Sequence, residues 1–136
     1  MSKAIPEIVK YMTMVPHSIG SDQALSQAEK LMREHKIRHL PVLKGGKILG
    51  IISDRDLKIT EALVGGKSST MKVEDITQGE PYTCTPHSKL DEVATTMAEN
   101  KYGSALVIDN NKLVGIFTAV DALRALSDLL HTRLKS

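Results

Sequence analysis

Two short stretches carry the residue types from which a site for a phosphorylated ribose can be built. They are Gly50-Ile51-Ile52-Ser53-Asp54-Arg55-Asp56 and Gly115-Ile116-Phe117-Thr118-Ala119-Val120-Asp121. Each reads as a strand ending in a hydroxyl residue, then a helix start, with an acid one turn in. The hydroxyl and the free N–H groups of a helix N-terminus favour a phosphate. A carboxylate at that point can accept both hydroxyls of a ribose cis-diol. The same spacing also resembles a capping box, with Asp for the usual Glu, so a single copy reads equally well as a cap. Recurrence in two places shifts the balance towards a site, although shared ancestry alone would also repeat a cap.

The recurrence belongs to a longer repeat. Sliding the chain by 65 positions lays residues 16–57 on 81–122 without a gap. Pro16, Leu25, Met32, Glu34, Lys36, Val42, Lys47, Gly50, Ile51 and Asp56 then meet identical residues. Chance gives roughly two or three identities in such a window at ordinary composition. Each repeat reads as strand, helix, strand, strand, helix. In the first, Ser18-Ile19 is extended, Ser21 or Asp22 caps a helix to about His35, and Leu25, Ala28, Leu31 and Met32 share one face. His39–Leu43 and Lys47–Ile52 form a hairpin around Gly45-Gly46, and Ser53 opens the last helix. In the second, Tyr82–Cys84 is extended and Ser88 caps a helix bearing Leu90, Val93 and Met97. Ala105–Ile108 and Lys112–Phe117 flank Asn110-Asn111, which tolerate left-handed geometry. Thr118 opens a final helix with Val120, Leu123, Leu126 and Leu130. Residues 4–14 read as a short leading helix (Ile5, Ile8, Val9, Met12), Val73–Ile76 fills the matching slot, and Gly65–Ser69 reads as a flexible link.

The remaining residues narrow the chemistry. At 136 residues with net charge +2 and interspersed signs, the chain forces no basic face, and nucleic acid is a poor partner. The scarcity of aromatics removes stacking platforms. The single cysteine, Cys84, excludes an internal disulfide and fits a reducing cytoplasm. No apolar run approaches the ~18 residues of a membrane span, and no signal peptide is evident. His35 and His39 are four apart, but the helix ends between them, so a metal site there is disfavoured. His17, His87 and His131 lack acid or thiol partners at ligand spacing. Cys84, between Thr83 and Thr85, reads as a packed or cleft-lining thiol, and the methionines as gap-filling core. Nothing pairs a nucleophile with a base, so binding without catalysis is expected.

With its Arg38-His39-Leu40-Pro41-Val42 and Ser53-Asp54-Arg55-Asp56-Leu57 stretches, nearly the whole chain resembles a pair of CBS domains, the Bateman module. The resemblance implies an α+β fold of two tandem βαββα repeats packed as a pseudo-twofold pair, here residues 1–66 with the leading helix and 67–136. It also implies that an adenosine nucleotide (AMP, ADP or ATP) binds between the repeats as a regulatory ligand, with no required cofactor. The motif Asp takes the ribose, the Ser/Thr lies near the phosphates, and backbone of the other repeat holds the adenine. Carried over, Ser53, Arg55 and Asp56 join Thr83, Cys84, Gly103 and Ser104 in one cleft. Thr118 and Asp121 join Ser18, Ile19, Arg38 and His39 in the other. The clefts differ, because Arg55 offers a forked phosphate clamp where the second motif has Val120. The resemblance further implies a flat homodimer through the last helix of each repeat, and a separate partner protein that receives the signal. The alternative is an assembly module that works without ligand and whose clefts are vestigial.

Overall fold

The computed structural model describes residues 4–14, 17–77 and 79–134; Pro16, where the repeated stretch begins, lies outside them. In chain order the strands and helices are β1 (Thr13–Met14), β2 (Ile19–Gly20), α1 (Leu25–His35), β3 (His39–Lys44), β4 (Lys47–Ser53), α2 (Asp54–Val64), β5 (Thr83–Cys84), α3 (Leu90–Asn100), β6 (Ser104–Asp109), β7 (Lys112–Thr118) and α4 (Ala119–Arg133). This is an α+β fold, and no helix among the described residues is long and apolar enough to cross a membrane. Two compact units form: His17–Pro81, and Met1–Pro16 together with Tyr82–Ser136.

In the first of these, β2 runs parallel to β3, and β3 pairs antiparallel with β4. Gly45 and Gly46 turn the hairpin at φ 59° and 79°, the two positive values a tight primed turn requires. The resulting register sets His39 opposite Ser53. Ile19, Leu25, Ala28, Met32, Leu40, Val42, Ile52 and Val73 form the core, with Leu31 packed against it. The other unit has strand order β1-β7-β6-β5, Asn110 and Asn111 at φ 51° and 63°, and Ser104 opposite Thr118. Its core holds Ile8, Leu90, Val93, Met97, Ala105, Val107, Phe117 and Ala125. Both hairpins carry an irregularity at the same place, Val42/Leu43 and Val107/Ile108.

The segments preceding each repeat depart from the sequence expectation. Residues 4–14 form no leading helix. A single 3-10 turn at Ile8–Lys10 is followed by β1, which pairs with β7. Helical periodicity misleads here because the backbone donors go elsewhere: the Ile8 and Val9 N–H groups bond to the carbonyls of Ser88 and Pro86, at 2.8 and 2.9 Å. The same clip recurs 65 residues on, where Val73 and Glu74 donate to Gln23 and Ser21. Residues 4–14 therefore dock on the second repeat and the segment from Val73 docks on the first, which crosses the 66/67 boundary drawn from sequence. These clips also explain the helix starts. Neither Ser21 nor Asp22 caps α1, and Ser88 does not cap α3. Ala24 and Lys89 hold the N-cap positions without side-chain bonds, and the orphan N–H groups of Leu25 and Leu90 donate to the carbonyls of Met71 and Pro6. Ser88 instead accepts from the Thr85 N–H at 3.0 Å. The expected flexible link is a 3-10 helix, Gly65–Thr70, with Ser69 and Thr70 hydroxyls bonded to the carbonyls of Gly66 and Lys67. On α4 Ala125 is buried in the core with Ala122 and Leu129 packed against it, while Val120, Leu123, Leu126 and Leu130 are exposed.

Ile8 has no solvent exposure although it lies some eighty residues from its core neighbours on α3. Ile8→Ala is expected to cost about 2–4 kcal/mol in urea unfolding, whereas Ile5→Ala, at an exposed position, changes stability by about 0.5 kcal/mol or less. Equal effects of the two would contradict the clip.

Candidate functional site

Both hydroxyl-to-acid motifs are complete capping boxes. The Ser53 N–H donates to Asp56 Oδ2 at 2.8 Å and the Asp56 N–H donates back to Ser53 Oγ at 3.1 Å. In the other repeat the Thr118 N–H donates to Asp121 Oδ2 at 2.9 Å and the Asp121 N–H to Thr118 Oγ1 at 3.3 Å. The cap reading is thus correct for both copies. Capping fixes each carboxylate at the end of its sheet, where a strand hands over to a helix, and leaves open whether it has lone pairs to spare.

The surroundings of the two acids differ. Asp56 is half-buried, its Oδ1 has no hydrogen-bond partner among the described residues, and Arg55 beside it is exposed. Asp54 in the same turn is paired with Lys58 at 3.1 Å. Asp121 is only 4% exposed. Its Oδ2 also accepts from the Thr118 hydroxyl at 3.1 Å, Thr13 Oγ1 approaches its two oxygens at 3.3 and 3.5 Å, and Arg124 Nη1 lies 3.7 Å from Oδ1. Thr13 was not foreseen as a site residue, because the leading segment reads as a helix and nothing local to Thr13 points to a residue 108 positions away.

The other predicted residues sort by unit. Arg38 and His39 sit beside Ser53 and Asp56 on their own sheet: the Asp54 N–H donates to the Arg38 carbonyl at 2.8 Å, and His39 pairs with Ser53. Gly103 and Ser104 sit likewise beside Thr118, with the Ala119 N–H donating to the Gly103 carbonyl at 3.0 Å. Ser18 borders an open cavity of about 610 Å³ lined also by Ser21, Asp22, Lys44 and Glu74, and the side chain of its neighbour Ile19 is buried in the core. Thr83 and Cys84 make the short strand β5 along β6. Burial pushes the Cys84 thiol up to about 11, so it stays protonated at neutral pH and is a poor nucleophile. Among the remaining histidines, His35 stacks on His17 with ring centroids 3.6 Å apart. His87 does find an acid, Glu7 at 3.0 Å, in the clip that sequence spacing hides. Among the described residues no group of three or more potential ligands is placed to hold a metal ion.

Burial holds His39 below the usual histidine range; the nearby Asp56 opposes this and Arg38 adds to it. Below about pH 6.5 the unfolded chain binds a proton that the folded chain resists. This contribution to stability is therefore present above that pH and lost as pH falls through the folded value. His87 is raised by its hydrogen bond to Glu7 and acts with the opposite sign. Denaturant melts between pH 7.5 and 5 should show wild type losing more stability on acidification than His39→Gln. His87 is common to both proteins and cancels in the difference; parallel pH profiles would contradict the assignment.

Comparison with known proteins places these features in a wider set. The family model of the CBS domain matches residues 7–59 and 73–128. Inosine-5′-monophosphate dehydrogenase of Korarchaeum cryptofilum is 29% identical over 134 residues, a match that takes in 98% of this chain and 27% of that enzyme's length. The crystal structure of the CBS domain pair of protein MJ0100 in complex with 5′-methylthioadenosine and S-adenosyl-L-methionine is similar at TM-score 0.81 and 27% identity, over 92% of this chain and 98% of that one. That of CBSX2 in complex with AMP is similar at TM-score 0.76 and 27% identity, over 90% and 97%.

Proposed function

This chain belongs to the CBS-domain family, and from that premise we propose that it is a regulatory module binding an adenosine nucleotide (AMP, ADP or ATP) at Asp56 and sensing it for a separate partner protein. The observation that carries the reading is the half-exposed Asp56 carboxylate, held rigidly by the Ser53 N–H through Oδ2 with Oδ1 left to accept from a ribose diol. Arg55, exposed one residue away at the N-terminal turn of α2, is placed to pair with phosphate. The adenosine ligands in the structures of CBSX2 and the MJ0100 domain pair support the ligand class. Binding without turnover is the better account, since the one serine–histidine contact among the described residues, Ser127 with His131 at 3.5 Å, lies on the exposed face of α4 and not at Asp56, and Cys84 is held protonated. Ligand binding acts on a partner only through a difference in affinity for two states of the module.

The exposed apolar side chains of Leu123, Leu126 and Leu130 on α4 and Ile59 and Leu63 on α2 are proposed as a homodimer surface. The same residues favour a second reading, an assembly module that works without ligand.

Thermal melts with AMP, ADP and ATP on wild type and Asp56→Asn separate the two. Asparagine keeps an acceptor for the Ser53 N–H, so the cap survives while the charge is lost. At about 100 times its Kd, a nucleotide adds about 2.7 kcal/mol, which for this size raises Tm by about 5–10 °C. Losing the charged acceptor weakens binding by about 10- to 100-fold, so the shift should largely vanish in Asp56→Asn. No shift with any nucleotide in a cooperatively melting wild type would favour the assembly module.

A further inference from the structure

The two motif acids match at the level of sequence, yet among the described residues the acceptor capacity each has left does not. We propose that Thr13 occupies the second acid from within the chain, so that each chain binds one adenosine nucleotide, at Asp56, and none at Asp121. This rests on the adenosine-binding reading above and adds the stoichiometry and its cause.

A carboxylate offers about four acceptor positions. At Asp121 three of them are engaged: Oδ2 takes the Thr118 N–H and hydroxyl at 2.9 and 3.1 Å, and Oδ1 takes Thr13 Oγ1 at 3.3 Å, while the exposed Arg124 Nη1 stands 3.7 Å from Oδ1 as an ion pair beyond hydrogen-bond reach. A ribose diol would have to displace Thr13, whose hydroxyl plays the part of a ribose hydroxyl. Thr13 is held there by structure on both sides. Its own strand pairs with β7, setting Thr13 opposite Ile116 and Met14 opposite Gly115. Five residues earlier, Ile8 is locked in the core. The fit is close: a Cβ on Gly115 would stand 2.9 Å from the Thr13 carbonyl oxygen and 2.7 Å from Met12 Sδ, so this strand reaches Asp121 only because residue 115 is glycine. Further along, Tyr11 hydrogen-bonds Asp128 on α4 and Arg133 donates to the Ala4 carbonyl at 3.1 Å, which fastens the segment at two more points. The motif itself agrees with the assignment, because Val120 stands where the first repeat has Arg55.

Isothermal titration with AMP, ADP and ATP tests this on wild type, Asp56→Asn, Asp121→Asn and Thr13→Gly, each checked for a cooperative melt. Wild type should bind one nucleotide per chain. Asp56→Asn should weaken binding at least ten-fold and Asp121→Asn by less than two-fold. Thr13→Gly, at an exposed position that removes the hydroxyl and loosens β1, should bring the count to two. Two sites in wild type, or a ten-fold loss in Asp121→Asn, would overturn the proposal, as would a count that stays at one in Thr13→Gly. If Asp121→Asn does not fold, the Thr13→Gly titration decides. No binding of any nucleotide by wild type would instead overturn the adenosine reading itself, so the two failures are told apart.

Discussion

The burial of Ile8 in the core of the second repeat is the constraint from which the rest follows. Its side chain is fully withdrawn from solvent among Leu90, Val93 and Phe117, and its N–H is bonded to the Ser88 carbonyl. Val73 does the same for the first repeat, 65 residues later, with the equivalent bond to Gln23. A repeat of about 50 residues has little core of its own, and the borrowed segment adds a large aliphatic side chain to each. The chain therefore passes from one unit to the other and back. Once Ile8 is anchored, the residues after it are led along β7, and Thr13 arrives at Asp121 as a consequence of packing rather than of any local preference.

Two capping boxes of the same design thus end in different electrostatic states. Each contributes about 1 kcal/mol to its helix by satisfying an orphan N–H group. Asp56 does so while half-buried, and its second oxygen has no partner among the described residues, which leaves it open to a ligand hydroxyl. Asp121 is nearly buried, and a buried carboxylate is tolerated only when its lone pairs are filled. Thr118 and Thr13 supply three hydrogen bonds, and the exposed Arg124 adds an ion pair at 3.7 Å. A carboxylate satisfied within the folded chain has little left to offer a ligand. The inequality between the repeats is therefore a difference in what surrounds an identical device.

Much of the fold was legible in the sequence because its determinants are local. Gly45-Gly46 and Asn110-Asn111 announce the hairpins, the short apolar runs of β3 and β6 announce the core, and the Ser53/Asp56 and Thr118/Asp121 spacing announces the caps that the structure contains. What escaped is non-local. The starts of α1 and α3 are satisfied by the backbone of a distant segment, which has no side-chain signature, so Ser21 and Ser88 look like caps and are not. Residues 4–14 have helical spacing, but their N–H groups are drawn to a strand and a loop elsewhere. Both carboxylates of the candidate site could be placed from sequence. Their unequal surroundings could not, since Thr13 and Asp121 are brought together only by the docking of the leading segment.

The most direct test of the account is a crystal structure of the chain grown with AMP. The account predicts a nucleotide whose ribose hydroxyls donate to the Asp56 carboxylate, with Thr13 still on Asp121 and no ribose there. A ribose bound to Asp121 with Thr13 displaced, or a nucleotide that touches neither acid, would contradict it.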